Sequence, residues 1–219
     1  CFTGKDGLSI AQRTVQAAAR ELGIKPADVL VALTGIIGRP LDVAKIETAM
    51  PKLVAGLGSS LHKGRQAAKA ILTTDTMLKE IAVSVPIGKN TVMIGGCAKG
   101  SGMIEPNMAT MLAFLTTDAA ITQPLLKKAM LLAVEPSFNS ITVDGCMSTN
   151  DMVCLMANGM AGNKLIATEG DAFKKFVNAL TFVCLDLATK IVRDGEGATK
   201  LLQIAISGAK TYKMAKAAA

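Results

Sequence analysis

The chain has 219 residues, a net charge of +7, 50% hydrophobic residues and 19% charged residues. This composition excludes a disordered polymer and supplies enough apolar side chains for a sizeable core. The mean hydropathy is +0.40. The longest apolar runs, such as Met152 to Ala157, are nevertheless short, whereas a membrane-spanning helix needs about 20 residues. We therefore predict a globular protein with no membrane partner.

Hydrophobic spacing and turn residues predict helices and strands in mixed order along the first half of the chain. Gly23 is predicted to end the first helix, and Pro51 to bend or break the second. In chain order the elements are a helix over Ser9–Leu22, a strand over Val29–Leu33, helices over Asp42–Leu57 and Leu61–Leu72, and a hairpin of Ile81–Val85 with Thr91–Ile94 that turns at Gly88–Asn90.

The second half of the chain continues the same mixture. In chain order we predict a glycine-rich loop over Gly95–Asn107, a strand over Met111–Leu115, a helix over Thr122–Glu135, strands over Ser140–Val143 and Met152–Met156, a long helix over Asp171–Val192 and a strand over Leu201–Ile206. Together the two halves predict an α/β fold, a layered sandwich of mixed, partly antiparallel sheets flanked by helices.

The distribution of charged, aromatic and sulfur-containing residues excludes several functions. Lys and Arg occur in no run longer than a pair, and aromatic residues make up 3% of the chain. Because nucleic acids need basic grooves with aromatic platforms, we predict no nucleic-acid partner. The five cysteines form no CxxC pair, which favours buried thiols in a reducing compartment.

A single histidine, His62, limits the catalytic machinery further. It lies beside two cations on a predicted helix, which favours a surface position. With one histidine the chain has no HExxH motif and no Cys/His zinc cluster. Asp144, Asn150 and Asp151 lack the spacing of a calcium loop, so we predict no metal.

Three glycine-containing segments lie between apolar runs, where functional residues are commonly found. They are Leu33–Gly38, Gly95–Gly102 and Asp194–Lys200. The middle segment matches neither the phosphate-loop spacing nor the dinucleotide-binding spacing. Its glycine content alone predicts a flexible loop with a solvated Lys99, and Cys97 is better interpreted as a buried thiol than as a reactive one.

The residues that follow this loop point to a specific chemistry. The stretch from Lys99 to Leu112 reads KGSGMIEPNMATML and closely resembles the self-cleavage segment of the ornithine acetyltransferase family (glutamate N-acetyltransferases of arginine biosynthesis). The resemblance extends from Cys1 to the C-terminus. Other segments resemble the family in the same order, namely Leu33–Gly38, Thr73–Thr76, Asn139–Gly145 and Asp194–Lys200.

The resemblance implies that the protein cuts itself between Ala109 and Thr110. Thr110 then becomes an N-terminal nucleophile. This chemistry needs no histidine, because a free α-amine with a pKa of about 8 can serve as the base for the adjacent hydroxyl. The family pattern further implies two oxyanion donors, the Thr34 hydroxyl and the Gly35 N–H, and four substrate contacts, Thr73, Lys99, Thr110 and Glu196.

The implied reaction is acetyl transfer from N2-acetyl-L-ornithine to L-glutamate through an acetyl-threonine intermediate. Lys99 suits a substrate carboxylate and Glu196 suits an ammonium group. Thr74 and Thr76 are alternatives to Thr73. No bound cofactor is implied, and acetyl-CoA is a candidate additional acetyl donor; the sequence leaves open whether the protein uses it.

The resemblance also bears on organisation. Family members are longer than this chain, so residues 1–219 are expected to be the central part of the fold. Residues 1–109 would end the α-chain part and residues 110–219 would begin the β-chain part. A heterotetramer of α and β chains is implied. The expected location is the cytoplasm, or a mitochondrion or plastid in a eukaryote.

Two other function classes stay open at this point. A related N-terminal-nucleophile amidohydrolase or aminopeptidase would share the self-cleavage but release its acyl group to water. An inactive fragment would only bind amino-acid metabolites. Acetylglutamate as the product would indicate the transferase, and free acetate or a free amino acid would indicate the hydrolase. Ornithine binding without self-cleavage would indicate the third class.

Overall fold

A computed structural model of the protein describes residues 2–105 and 111–219. Within these residues the strands form one four-stranded sheet in the order β1-β2-β3-β4, so the predicted α/β class with mixed pairing is confirmed. The strands are β1 (Lys79–Ile87), β2 (Asn90–Lys99), β3 (Leu112–Thr117) and β4 (Met152–Ala157); the helices are α1 (Gly4–Leu22), α2 (Val43–Ala55), α3 (Leu61–Ala70), α4 (Gln123–Val134), α5 (Asp171–Arg193) and α6 (Tyr212–Ala218).

The sheet register brings several element ends together. β1 and β2 form an antiparallel hairpin, and β2 pairs antiparallel with β3 so that Lys99 lies opposite Leu112. β3 and β4 run parallel, with Leu112 opposite Met152, and α4 lies in the crossover that parallel pairing requires. The starts of β1, β3 and β4 and the end of β2 therefore meet at one end of the sheet.

Helix α5 carries much of the core. It packs across β1 and β2 and against α4. Its buried side chains recur every three or four residues and so form one apolar stripe: Phe173, Phe176, Leu180, Val183, Cys184, Leu187, Ala188 and Ile191. The predicted long helix is confirmed, and its last turn reaches the end of the sheet where the strand ends meet.

Several predicted strands are wrong. Val29–Leu33 and Leu201–Ile206 have no regular secondary structure, and Ser140–Val143 follows a short 3-10 turn without becoming a strand. Each is an apolar run without a strand partner, and a strand exists only through its ladder of hydrogen bonds.

The predicted loop over Gly95–Asn107 is wrong in its first part, because Gly95–Lys99 belongs to β2. Gly96 lies opposite Leu115, and a Cβ atom there would come within 2.5 Å of the Leu115 Cδ2 atom. Glycine thus permits close strand approach where its abundance predicts a loop.

The other helices form with shifted bounds. α1 begins at Gly4 instead of Ser9 and ends at Leu22, and the following Gly23 caps it in the left-handed conformation with φ of 67°. α2 continues through Pro51, so the predicted break there is wrong. His62 lies exposed on α3, as predicted.

The cysteines only partly follow the prediction of buried thiols. Cys154 and Cys184 are buried, Cys97 is partly buried and Cys146 is exposed. Burial raises the pKa of Cys97, with the nearby Glu80 charge adding to the effect, so this thiol is kept protonated. Across the described ranges, no helix combines the length and apolarity needed to cross a bilayer.

Candidate active site

A cleft of about 370 Å³ lies at the end of the sheet where the strand ends meet. It brings together three of the predicted substrate contacts, Thr73, Lys99 and Glu196. The Lys99 Nζ atom donates a hydrogen bond to the Thr73 hydroxyl at 3.2 Å. The remaining lining residues are Thr74, Ser101, Gly102, Met103, Asp144 and Cys146. The cleft therefore holds a cation, carboxylates and hydroxyls within one small volume.

Lys99 ends β2 and is the buried cation of the cleft, with 3% of its surface exposed. Burial lowers the pKa of Lys99, while the charges of Asp75 and Asp151 partly restore it. The sequence prediction of a solvated lysine is therefore wrong, because the strand extends further than glycine content suggests. A partly desolvated ammonium group interacts strongly with a carboxylate ligand.

A second lysine, Lys79, forms a buried ion cluster directly behind the cleft. Its ammonium group lies 2.5 Å from a carboxylate oxygen of Asp75 and 2.5 Å from one of Asp194, and all three side chains are almost fully buried. Burial alone would raise the pKa of both carboxyls. Hydrogen bonds, including those from Lys79, outweigh burial and hold both pKa values below the usual range.

This ion cluster fixes two loops of the cleft. Asp75 accepts backbone N–H groups from Thr73 at 3.2 Å and Gly100 at 2.7 Å. Asp194 accepts the Thr76 N–H at 3.0 Å and also the Thr76 hydroxyl. The loop that carries Thr73 is thereby anchored to Asp194, the residue that follows α5, and Glu196 lies two residues after Asp194. No local motif in the sequence indicates the cluster, because Lys79 and Asp194 are 115 positions apart.

Glu196 depends on glycine at position 102. The Glu196 N–H donates to the Ser101 carbonyl at 2.7 Å, and a Cβ atom on Gly102 would lie 2.7 Å from the Glu196 Cδ atom. Any larger residue would displace the carboxylate from its position over this backbone. The Ser101 and Thr74 hydroxyls are hydrogen-bonded at 2.7 Å, which joins the same backbone to the opposite loop.

Asp144 holds the backbone that follows Gly102. Its carboxylate accepts the N–H groups of Met103 at 2.5 Å, Ile104 at 3.0 Å and Cys146 at 3.1 Å. Met103 has φ of 57°, a left-handed conformation that costs a non-glycine residue free energy. The Asp144 hydrogen bonds stabilise this conformation and so shape one wall of the cleft.

The predicted oxyanion residues, Thr34 and Gly35, lie in an irregular segment and are not among the residues that line this cleft. The side chain of Asn150 donates to the Leu33 carbonyl at 2.9 Å. The next residue, Asp151, accepts the Met111 N–H at 2.8 Å. Two consecutive side chains thus attach the segment that precedes Thr34 and the residue that precedes β3 to one loop.

The predicted cleavage site itself, Ala109 and Thr110, lies outside the described residues. Lys99 lines the cleft and lies opposite Leu112 in the sheet register. β3 therefore begins beside the cleft, two residues after position 110. Met111, just before β3, and Asp151, just before β4, are hydrogen-bonded at the same end of the sheet.

Comparison with known proteins identifies the family. The sequence model of the ArgJ family matches residues 1–219. The chain belongs to the ArgJ family. The resemblance to the glutamate N-acetyltransferases is therefore confirmed, since relatives under both names match nearly all of this ArgJ-family chain.

Three ArgJ-family relatives illustrate the similarity. The Arginine biosynthesis bifunctional protein ArgJ of Symbiobacterium thermophilum is 48% identical over 99% of this chain and 54% of its own length. The Glutamate N-acetyltransferase of Methanosarcina acetivorans is 47% identical over 99% of this chain and 53% of its own. The Arginine biosynthesis bifunctional protein ArgJ of Bacillus subtilis is 49% identical over 95% of this chain and 50% of its own length. The chain spans about half the length of these relatives.

Among solved structures, the Arginine biosynthesis bifunctional protein ArgJ from Bacillus halodurans is 50% identical to this chain. The match covers 42% of this chain and 43% of that structure, with a TM-score of 0.40.

Proposed function

We propose that the protein transfers the acetyl group of N2-acetyl-L-ornithine to L-glutamate after cutting itself between Ala109 and Thr110. The observation that carries the proposal is the cleft that holds Thr73, Lys99 and Glu196 beside the start of β3. Membership of the ArgJ family and the name of the Methanosarcina acetivorans relative support this activity.

The charges of the cleft match those of both substrates. Ornithine and glutamate each carry a carboxylate and an amino group. In the proposed complex the Lys99 ammonium binds a substrate carboxylate, and the Glu196 carboxylate binds a substrate ammonium group. The Thr73 hydroxyl, already hydrogen-bonded to Lys99, orients the same end of the substrate.

The chemical steps follow from an N-terminal threonine. The free amine of Thr110 takes the proton of its own hydroxyl, which attacks the acetyl carbonyl of N2-acetylornithine. Collapse of the tetrahedral intermediate breaks the amide bond, the Thr110 ammonium group returns its proton to the departing nitrogen, and ornithine leaves while an acetyl ester remains on Thr110. The amino group of glutamate then attacks this ester. The ester C–O bond breaks, a proton from the glutamate nitrogen restores the Thr110 hydroxyl, and N-acetylglutamate leaves. The Thr34 hydroxyl and the Gly35 N–H stabilise both oxyanions, and one such donor contributes about 3 kcal/mol.

The proposal extends to the assembled protein. Self-cleavage produces an α chain and a β chain that assemble as a heterotetramer in the cytoplasm. Acetyl-CoA is proposed as an additional acetyl donor for glutamate.

The first test is the intact mass of the purified protein under denaturing conditions. We expect two masses, for residues 1–109 and 110–219, from the wild-type chain of 219 residues. Thr110→Ala lacks the nucleophile and should give one uncut mass. Thr116→Ala changes an exposed threonine of β3 and serves as the matched control, which should cleave like the wild type.

A second measurement separates transfer from hydrolysis. The cleaved protein is mixed with acetyl-labelled N2-acetylornithine, quenched in acid and examined for label on the peptide that begins at Thr110. Label on Thr110 and acetylglutamate as product support the transferase. Free acetate in the presence of glutamate would indicate an amidohydrolase, and absence of label would exclude the covalent route.

A further inference from the structure

Self-cleavage poses a chemical problem that acetyl transfer does not. Before the cut, the nitrogen of residue 110 is part of a peptide bond and cannot act as a base. The Thr110 hydroxyl is a weak nucleophile and needs a proton acceptor. The single histidine, His62, is exposed on α3 and is not among the residues of the cleft. Another group must therefore accept the proton in the first step.

Asp151 has the geometry for this task. One carboxylate oxygen, Oδ1, accepts the Met111 N–H at 2.8 Å. The other, Oδ2, is buried and accepts no hydrogen bond from any residue within 2–105 or 111–219. A buried carboxylate oxygen without a partner is costly to the fold, and a catalytic role is one physical reason for such a group.

Covalent geometry places this carboxylate close to the bond that is cut. Three bonds, together about 4.3 Å long, separate the Met111 nitrogen from the nitrogen of residue 110. Since Oδ1 is 2.8 Å from the Met111 nitrogen, it lies within about 7 Å of the scissile nitrogen in any conformation of the chain. One hydrogen bond thus anchors the carboxylate beside residue 110.

Building on the proposed self-cleavage, we propose that Asp151 is the general base and acid of that reaction. Its carboxylate takes the proton of the Thr110 hydroxyl as Oγ bonds to the Ala109 carbonyl carbon. The carboxylic acid then returns the proton to the Thr110 nitrogen as the bond from the Ala109 carbon to that nitrogen breaks. An ester and a free amine result. Water hydrolyses the ester to the Ala109 carboxylate and restores the Thr110 hydroxyl.

The electrostatic setting agrees with this role. Burial raises the pKa of Asp151 to about 6, against the opposing effects of the Met111 hydrogen bond and the Lys99 charge. Among the described residues, the charged side chain that affects the pKa of Asp151 is Lys99 on β2. A base with a pKa near the working pH combines a large ionised fraction with useful basicity.

The test starts from uncut chains of each variant, collected under denaturing conditions directly after synthesis, and compares their self-cleavage rates by intact mass after refolding. Asp151→Asn keeps an oxygen for the Met111 N–H but loses the proton acceptor, and we expect cleavage to slow by about 100-fold or more. Asp151→Glu keeps a carboxyl group and should retain part of the rate. Asp118→Asn is the matched control, because Asp118 accepts the Met93 N–H at 2.7 Å at the other end of β3; it should cleave normally.

The pH profile gives a readout that a purely structural role would not move. Wild-type cleavage should accelerate as pH rises through about 6 and then level off, whereas the Asp151→Asn rate should be flat in this range. The contrary outcome is that Asp151→Asn cleaves within a few-fold of the wild-type rate and with the wild-type dependence on pH. That result would overturn the role of Asp151 and leave the proposed function intact. If the wild type does not cleave, or if Thr110→Ala also cleaves, the proposed function is wrong and this role is wrong with it.

Discussion

Lys79 is a lysine without contact with solvent, and its position explains how the cleft keeps its shape. Burying a charge costs several kcal/mol unless partners compensate. Here two carboxylates lie 2.5 Å from the ammonium group, and each also accepts backbone N–H groups. Because the cluster is shielded from solvent, water does not compete for its hydrogen bonds, and these bonds stabilise the loops of the cleft.

Removing the Lys79 charge should be strongly destabilising. Lys79→Met leaves two buried carboxylates without their cation, and we expect a loss of about 3–5 kcal/mol in the free energy of unfolding. Lys175→Met is the matched control, because Lys175 pairs with Asp171 at the same i,i+4 spacing but in solvent; its expected cost is about 0.5 kcal/mol or less. Urea denaturation of both variants measures the difference, and equal costs would contradict the importance of burial.

The sequence predicts a residue's place in the candidate site where that residue belongs to a local motif. It does not do so where the residue's role depends on contacts with distant parts of the chain. Lys99 and Glu196 lie in glycine-rich segments that resemble the family, and the structure places both in the cleft. Lys79 and Asp194 have no such motif, since they are 115 positions apart and become partners only through the fold. In the sequence, Asp151 belongs only to a group of acidic and amide residues without calcium-loop spacing. That its Oδ2 atom lacks a hydrogen-bond partner among the described residues is visible only in the packed structure.

At the level of elements, the helices were predicted better than the strands. The stripe of α5 repeats through 23 residues, and that repetition is contained in the helix itself. A strand is defined by its neighbour. Leu201–Ile206 has the composition of a strand but lies exposed without a strand partner in the described part of the chain. Gly95–Ala98 has the composition of a loop but pairs with strands on both sides.

The α5 stripe also predicts where substitution is costly. Leu180 is completely buried, whereas Leu185 on the same helix is 42% exposed. Leu180→Ala removes the same atoms as Leu185→Ala but leaves a cavity in the core. We expect a loss of about 2–5 kcal/mol for Leu180→Ala and a much smaller loss for the control. Thermal unfolding compares them, and similar shifts in Tm would show that α5 does not hold the core.

The pH dependence of stability is a property of the whole molecule, in which carboxyls act in opposite directions. Asp75 and Asp194 have lowered pKa values when folded, so their contribution is present above about pH 4 and is lost as pH falls below it. Asp151 has a pKa raised to about 6 when folded. Because the folded state then binds the proton more tightly, this group lowers stability as pH rises from about 4 to about 6.

Asp151→Asn should remove that second effect. The variant keeps a neutral group of the same shape at all pH values. We expect it to be more stable than the wild type at neutral pH, with the advantage shrinking toward about pH 4. Urea titrations at three pH values measure this. A variant that is less stable at neutral pH would contradict a destabilising effect of the buried Asp151 charge.

The order of the strands has a consequence for the proposed cut. β1 and β2 precede position 110, whereas β3, β4 and α5 follow it. The six-residue pairing of Lys99–Ile94 with Leu112–Thr117 joins the two sides, and α5 lies over β1 and β2. Cleavage would therefore leave the two pieces interlocked in one sheet. Unfolding would change from a unimolecular to a bimolecular equilibrium, so the midpoint of denaturation would come to depend on protein concentration. A chain that folds as one molecule would, once cut, be able to refold only by finding its other half.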